Sequence, residues 1–121
     1  MNANSTYAFY GSLRMGMSNY DEFKEGLEFQ FLTVIYGFQL YRMENYPYAV
    51  KTGNHADGIT VEVFKVTNPE IEKSIHALEL EVGYHYEEVE IRGNQVGIYL
   101  YKSAGPEPLV RHGDWAKFFG S

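Results

Sequence analysis

The sequence predicts an α+β domain, with a mixed or antiparallel β-sheet that closes into a small barrel and one or two flanking helices. The 121 residues are 45% hydrophobic, enough to bury a core. Aromatic residues make up 17% of the chain and suit the pleated, half-buried surface of a sheet. Apolar residues alternate with a period of two in several segments and follow helical spacing in few. We therefore expect one domain over residues 1–121.

The first half of the chain predicts strands and one short helix. The alternating run Tyr-Ala-Phe-Tyr indicates a strand over residues 6–10. A short helix is expected over Tyr20–Glu25, ended by Gly26. Residues 28–42 are rich in Phe, Val, Ile and Tyr and indicate one long strand or two shorter ones. Residues 43–57 contain Pro, Gly and Asn and are expected to be mostly loop.

The second half predicts a strand, a helix and a hairpin. Ile59–Val66 alternates and is expected to be a strand. Thr67-Asn68-Pro69-Glu70 has capping-box spacing with proline in the first turn, so a helix should begin there and run to about Leu80. Tyr84–Ile91 and Gln95–Tyr101 flank Arg-Gly-Asn and predict a hairpin.

Charge and composition exclude several classes of function. The net charge of −6 argues against a nucleic-acid partner, which needs a basic patch. The absence of cysteine excludes disulfides and thiol chemistry, and the four histidines lack metal-ligand spacing, so we expect no metal site. The most apolar stretch, Leu27–Tyr41, is too short and polar to span a bilayer, so no membrane partner is expected. No signal-peptide pattern is evident at the N-terminus, and we expect a cytoplasmic protein.

The turn after the first strand is the first candidate site. Gly11 permits backbone angles that a side chain would forbid, so successive N–H groups can point at one anion or carboxylate. A plain tight turn is the alternative. No Gly-x-Ser-x-Gly elbow surrounds Ser12, so we interpret its hydroxyl as a hydrogen-bond donor rather than as a nucleophile.

Glu79 is the second candidate. It lies near the end of the predicted helix, where a carboxylate opposes the helix dipole, and a residue that breaks a local rule is a good functional candidate. On a helical wheel it flanks the apolar stripe, whereas Glu81 points further away. Partial desolvation there would raise the pKa of Glu79, as a general acid or base requires. The alternative is a surface glutamate shielded by its neighbours. Several tyrosines are candidates for lining a pocket, although each alone is more often a core residue.

Several motifs resemble the gamma-glutamylcyclotransferase-like superfamily, whose fold is also called AIG2-like or BtrG-like. Tyr10-Gly11-Ser12-Leu13-Arg14 resembles its signature after the first strand, and Asn45–Val50 resembles its Tyr-Pro-x-Ala-Val loop. Ile75–Glu79 resembles the helix end that carries the catalytic glutamate of the family. Tyr86 matches the tyrosine that follows, and Gly113-Asp114-Trp115 resembles the tail of small bacterial members.

The resemblance runs from about residue 7 to residue 117 and implies a mechanism. The substrate would be a γ-glutamyl amine or γ-glutamyl amino acid, with the glutamyl end held by the N–H groups of Gly11–Leu13. Glu79 would take a proton from the α-ammonium, and the freed amine would attack the γ-carbonyl to form 5-oxoproline. Tyr10, Tyr46 and Tyr86 would contact the substrate. No metal or cofactor is implied.

The chain differs from the family pattern at three positions. His76 stands where the family usually has Asp, Leu80 replaces a common Gly, and Glu87 stands where an Arg often follows. The register also leaves Glu81 open as the acid/base in place of Glu79. Two other hypotheses remain: a non-catalytic small-molecule binder of the same fold, and an interaction protein with a tyrosine surface. The sequence determines neither the leaving amine nor the oligomeric state.

Overall fold

Seven strands and two α-helices form the described part of a computed structural model, which covers residues 5–17, 19–43, 46–110 and 113–115. In chain order the elements are β1 (Thr6–Phe9), α1 (Tyr20–Phe23, continued by a 3-10 turn over Lys24–Gly26), β2 (Leu27–Tyr36), β3 (Phe38–Arg42), β4 (Pro47–Lys51), β5 (Gly58–Val66), α2 (Pro69–Glu81), β6 (His85–Ile91) and β7 (Asn94–Leu100).

The main sheet has five strands in the order β2-β5-β1-β7-β6. Its neighbours are antiparallel except for β1 and β7, which are parallel. The remaining strands, β3 and β4, form an antiparallel pair. A single parallel bridge between Val50 and Tyr101 joins this pair to the end of β7. The expectation of an α+β fold with a mixed sheet is confirmed.

The sheet curls, but no hydrogen-bonded ladder closes it into a barrel within the described ranges. Its two edge strands, β2 and β6, face each other across a cleft of about 460 Å³ that residues of both strands line. The guanidinium of Arg92, just after β6, lies 3.9 Å from the centroid of the Phe31 ring on β2. This contact bridges the two edge strands. The edges therefore meet through side chains rather than through backbone hydrogen bonds.

The structure decides between the two strand arrangements expected for residues 28–42 and adds a strand to the segment that follows. Residues 28–42 form two strands because Gly37, with a φ of 94°, turns the chain between β2 and β3. Residues 43–57 were expected to be mostly loop, and the structure adds one short strand among them, β4 at Pro47–Lys51. Pro47 begins that strand, a position at which its missing N–H is tolerated.

The cap of α2 also differs from expectation. The side chain of Asn68, not that of Thr67, accepts the N–H groups of Glu70 at 2.9 Å and Ile71 at 3.3 Å. Pro69 explains the choice, because the residue before a proline is pushed to extended angles, and Asn68 has φ −121° and ψ 116°. The helix then packs its buried Ile75 into the core.

The hairpin of β6 and β7 closes through Arg92 and Gly93, which have φ angles of 52° and 80°. Positive φ at both central positions is the geometry of a two-residue turn that matches strand twist. No helix in the described residues is long and apolar enough to cross a membrane.

Candidate active site

A cavity of about 180 Å³ lies between the end of β1, the loop after it and the last turns of α2. Its walls bring together residues from six segments of the chain: Ala8, Phe9, Tyr10, Gly11, Ser12, Leu13, Asn19, Tyr46, Pro47, Leu78, Glu79, Val82, Tyr84 and Tyr99. The two candidate sites predicted from the sequence therefore line the same cavity. They are the turn of residues 10–13, called the glycine turn below, and Glu79. The described lining contains one ionisable carboxylate and no Lys, Arg or His.

The glycine turn is compact and leaves its donors available. The N–H of Arg14 donates to the carbonyl of Gly11 at 3.0 Å. Within the described ranges, the N–H groups of Gly11, Ser12 and Leu13 donate to no protein atom. Such N–H groups at a cavity wall can donate hydrogen bonds to a bound anion.

Gly11 is required for a reason other than the one the sequence predicted. It does not adopt a positive φ. A Cβ at this position would lie 2.7 Å from both Cγ and Cδ of Pro47. The glycine therefore lets the Tyr46-Pro47 segment approach the turn, and both sides of that contact line the cavity.

Buried charges behind the turn hold it in place, and sequence reasoning missed them. Arg14 is 4% exposed and Glu62 on β5 is 5% exposed. The Nε of Arg14 lies 2.8 Å from Oε2 of Glu62, and its Nη1 lies 2.7 Å from Oδ1 of Asp114. The other Glu62 oxygen accepts the N–H of Met15 at 2.8 Å. Because these partners are far apart in sequence, no local motif could have indicated that they pair.

Glu79 is partly buried near the end of α2, and its environment favours the neutral form. Burial raises the pKa of its carboxyl to about 7. Burial also raises the pKa of the Tyr10 and Tyr99 phenols, and the nearby charge of Glu79 raises both further. Glu81 is exposed and is not among the lining residues. The geometry thus favours Glu79 over Glu81.

Two tyrosine hydroxyls at the cavity are used by the fold itself. The Tyr10 hydroxyl donates to the carbonyl of Tyr99 at 2.5 Å and accepts the N–H of Ala49 at 3.2 Å. The Tyr84 hydroxyl donates to the carbonyl of Pro47. These bonds tie β4 and the segment before β6 to the main sheet. Tyr10 therefore offers the cavity its ring and backbone rather than a free hydroxyl.

The two remaining predicted contacts fall in different places. Tyr46 lines the cavity and packs against Tyr84, with ring centroids 6.3 Å apart. Tyr86 is not among the lining residues: its ring covers Gly97, and its hydroxyl donates to Glu88 at 2.9 Å. The geometry does not support a substrate contact for Tyr86, and that role stays a prediction.

The three positions that differ from the family pattern lie outside the cavity lining. The Nδ1 of His76 is 2.9 Å from the Tyr99 hydroxyl. Glu87 contacts Lys51 at 2.6 Å and His85 at 2.5 Å, and these two hydrogen bonds lower the pKa of its carboxyl. Leu80 is exposed. Asn45 of the second motif is outside the described residues, and no group of three metal-ligating side chains occurs within them.

Comparison with known proteins supports the resemblance read from the motifs. The family model of the gamma-glutamyl cyclotransferases, AIG2-like, matches residues 7–117. An uncharacterized protein from Pyrococcus horikoshii is 28% identical, with a TM-score of 0.80 over 94% of this chain and 92% of that one. The protein ytfP from Escherichia coli is 25% identical, with a TM-score of 0.69 over 91% of this chain and 95% of that one.

A more distant structure has the same fold. An AIG2-like protein from Mus musculus is 17% identical, with a TM-score of 0.73 over 92% of this chain and 87% of that one. No match was found among functionally curated proteins. Because the family model spans nearly all of the described fold and both walls of the cavity, this chain belongs to the AIG2-like gamma-glutamyl cyclotransferase family.

Proposed function

We propose that this protein is a cyclotransferase that converts a γ-glutamyl amine or γ-glutamyl amino acid to 5-oxoproline and a free amine. One observation carries the proposal: Glu79, with a pKa of about 7, lines the same small cavity as the N–H groups of the glycine turn, which donate to no atom of the described residues. A carboxylate with a pKa near neutrality can both accept and donate a proton at the working pH.

The reaction needs positioning and proton transfer. The α-nitrogen of the glutamyl group attacks its own γ-carbonyl carbon, a C–N bond forms, and the original amide C–N bond breaks. Two protons leave the α-nitrogen and two reach the departing nitrogen, and Glu79 carries them in turn. It accepts a proton before attack and donates one to the leaving amine, so it ends in its starting state. An intramolecular attack gains most of its acceleration from the bound geometry.

The electrostatics of the cavity support this division of roles. With no cationic side chain in the described lining, a substrate carboxylate depends on neutral donors, and the turn supplies them. Glu79 on α2, the one carboxylate of the described lining, is then available to the α-ammonium group. A substrate that carries a carboxylate and an ammonium group on the same carbon matches such a cavity.

A panel of γ-glutamyl compounds tests the proposal, with 5-oxoproline as the measured product. Turnover of at least one member is expected, and the Glu79→Gln variant should lose about 10²-fold or more of it, because Gln keeps the shape of Glu but cannot shuttle a proton. Glu81→Gln is the matched control and should keep wild-type turnover.

Two outcomes would contradict the proposal in different ways. Wild-type turnover in the Glu79→Gln variant would remove Glu79 from the mechanism. If the wild-type protein binds 5-oxoproline but turns over no member of the panel, the non-catalytic binder of the same fold becomes the better hypothesis.

A further inference from the structure

Asn19 and Ser12 are joined by two hydrogen bonds at the wall of the cavity. The backbone N–H of Asn19 donates to the carbonyl of Ser12 at 2.8 Å. Its side-chain Nδ2 donates to the Oγ of Ser12 at 3.0 Å. Both residues line the cavity, and both are partly buried. Asn19 therefore closes the loop that starts at the glycine turn and contacts the hydroxyl of Ser12.

The direction of the side-chain bond has a chemical consequence. A serine hydroxyl has one proton to donate and two lone pairs to accept with. Because Nδ2 of Asn19 fills one lone pair, the proton of Ser12 is not used in that bond. In the part of the chain that the structure describes, Ser12 Oγ donates to no protein atom. Its proton is thus available to a ligand beside the N–H groups of Gly11–Leu13.

We propose that Asn19 is a positioning residue that fixes the Ser12 hydroxyl as a donor to the α-carboxylate of the ligand. This inference rests on the proposed function, because it names the part of the substrate that the turn receives. The described lining offers no cation, so a carboxylate there needs every neutral donor available. A ligand with a carboxamide in place of the carboxylate brings its own donors and loses part of this match.

A double-mutant cycle on binding tests the inference. The ligands are 5-oxoproline, which keeps the α-carboxylate, and its neutral carboxamide, with Kd measured by calorimetry or NMR titration. Ser12→Ala should weaken binding of the acid about tenfold, the usual loss for a hydrogen bond to a charged group, and should change binding of the amide much less.

Asn19→Asp is the informative second change. An aspartate at this position can only accept, so the Ser12 proton should turn to it and leave the ligand, while the loop stays closed. The direct repulsion between the introduced carboxylate and the ligand is the same with or without the Ser12 hydroxyl, so it cancels in the cycle. We expect Asn19→Asp to cost about fivefold more for the acid in the wild-type background than in the Ser12→Ala background. Should Asn19→Asp fail to fold, Asn19→Ala completes the same cycle.

Each outcome decides a different question. Equal costs of the Asn19 change in both backgrounds would overturn the inference, since Asn19 then does not act through Ser12. Equal wild-type affinity for the acid and the amide would overturn it too, and would leave turnover of the γ-glutamyl panel, and so the proposed function, intact. The expected cycle without any turnover would support the carboxylate site and count against catalysis.

Discussion

Gly11 and Pro47 approach so closely that a Cβ on Gly11 would lie 2.7 Å from the Cγ and Cδ of the proline ring. This contact joins the turn after β1 to the start of β4, and the two residues line the cavity from different elements. The proline ring cannot rotate away as a flexible side chain can. These two walls of the cavity can therefore lie this close together only because residue 11 has no Cβ.

We expect Gly11→Ala to destabilise the protein by about 1–3 kcal/mol, the usual cost of overpacking, and to lower turnover because the walls must separate. Urea unfolding and kcat/KM measure the two effects. Pro47→Ala removes the two ring carbons, so the double variant should recover part of both losses. If Pro47→Ala restores neither quantity, the contact does not explain the need for glycine.

The buried Arg14–Glu62 pair predicts a large stability effect away from the cavity. Arg14→Met leaves the Glu62 carboxylate buried without its cation and should cost about 3–5 kcal/mol in urea unfolding. Lys24→Met breaks the exposed Lys24–Asp21 pair, 3.7 Å long, and is the control with an expected change below about 0.5 kcal/mol. Similar costs for the two variants would show that the buried network does not hold the turn.

Much of the fold could be predicted because its elements have local causes. The alternation in Ile59–Val66 and the apolar spacing of α2 are properties of neighbouring residues, and the structure has these elements within a few positions. The strand β4 escaped prediction since it is short, begins with proline and lies among turn-forming residues. Its pairing with β3 depends on partners up to 13 positions away.

The candidate site likewise has parts with local causes, which could be predicted, and parts that depend on residues distant in sequence, which could not. Glu79 and the glycine turn could be proposed from helix position and from turn chemistry, which are local. The Arg14–Glu62–Asp114 network joins residues 48 and 100 positions apart, and only the folded chain brings them together. The same holds for Gly11, because the feature that excludes a side chain there, Pro47, lies on another element.

Tyr10 provides a test that separates stability from catalysis. Its hydroxyl is bonded to the Tyr99 carbonyl and the Ala49 N–H, so Tyr10→Phe leaves two buried groups unpaired and should cost about 1–3 kcal/mol. Because that hydroxyl bonds to protein groups rather than to a ligand, KM for the best γ-glutamyl substrate should change by less than about threefold. A large rise in KM with unchanged unfolding would instead make the hydroxyl a substrate contact.

The pH dependence of kcat/KM should report Glu79. The carboxyl must be ionised to accept a proton, and its pKa is raised to about 7, so kcat/KM should rise with pH below about 7 and level off above it. The residual activity of Glu79→Gln should lack this inflection. His76→Asn is the control, because the His76 ring contacts the hydroxyl of Tyr99, which lines the cavity. An inflection lost in His76→Asn but kept in Glu79→Gln would reassign the titrating group.

The Glu79 carboxyl should also make the free energy of unfolding depend on pH. Its ionisation should lower stability, as expected of a residue that is present for function rather than for the fold. In the unfolded chain Glu79 ionises near its ordinary pKa of 4.5, and in the folded protein near 7, so the folded state binds more protons between these values. Stability should therefore fall as pH rises from about 4.5 to about 7.

Gln carries no charge at any pH, so Glu79→Gln should be more stable than wild type at about pH 8.5, by at most about 3 kcal/mol because the carboxylate is only partly buried. The two proteins should be equally stable below about pH 4.5, and the exposed Glu81→Gln control should match wild type at both values. If Glu79→Gln unfolds more easily than wild type at the higher pH, the ionised carboxylate stabilises the fold, and its position near the turn reflects structure rather than catalysis.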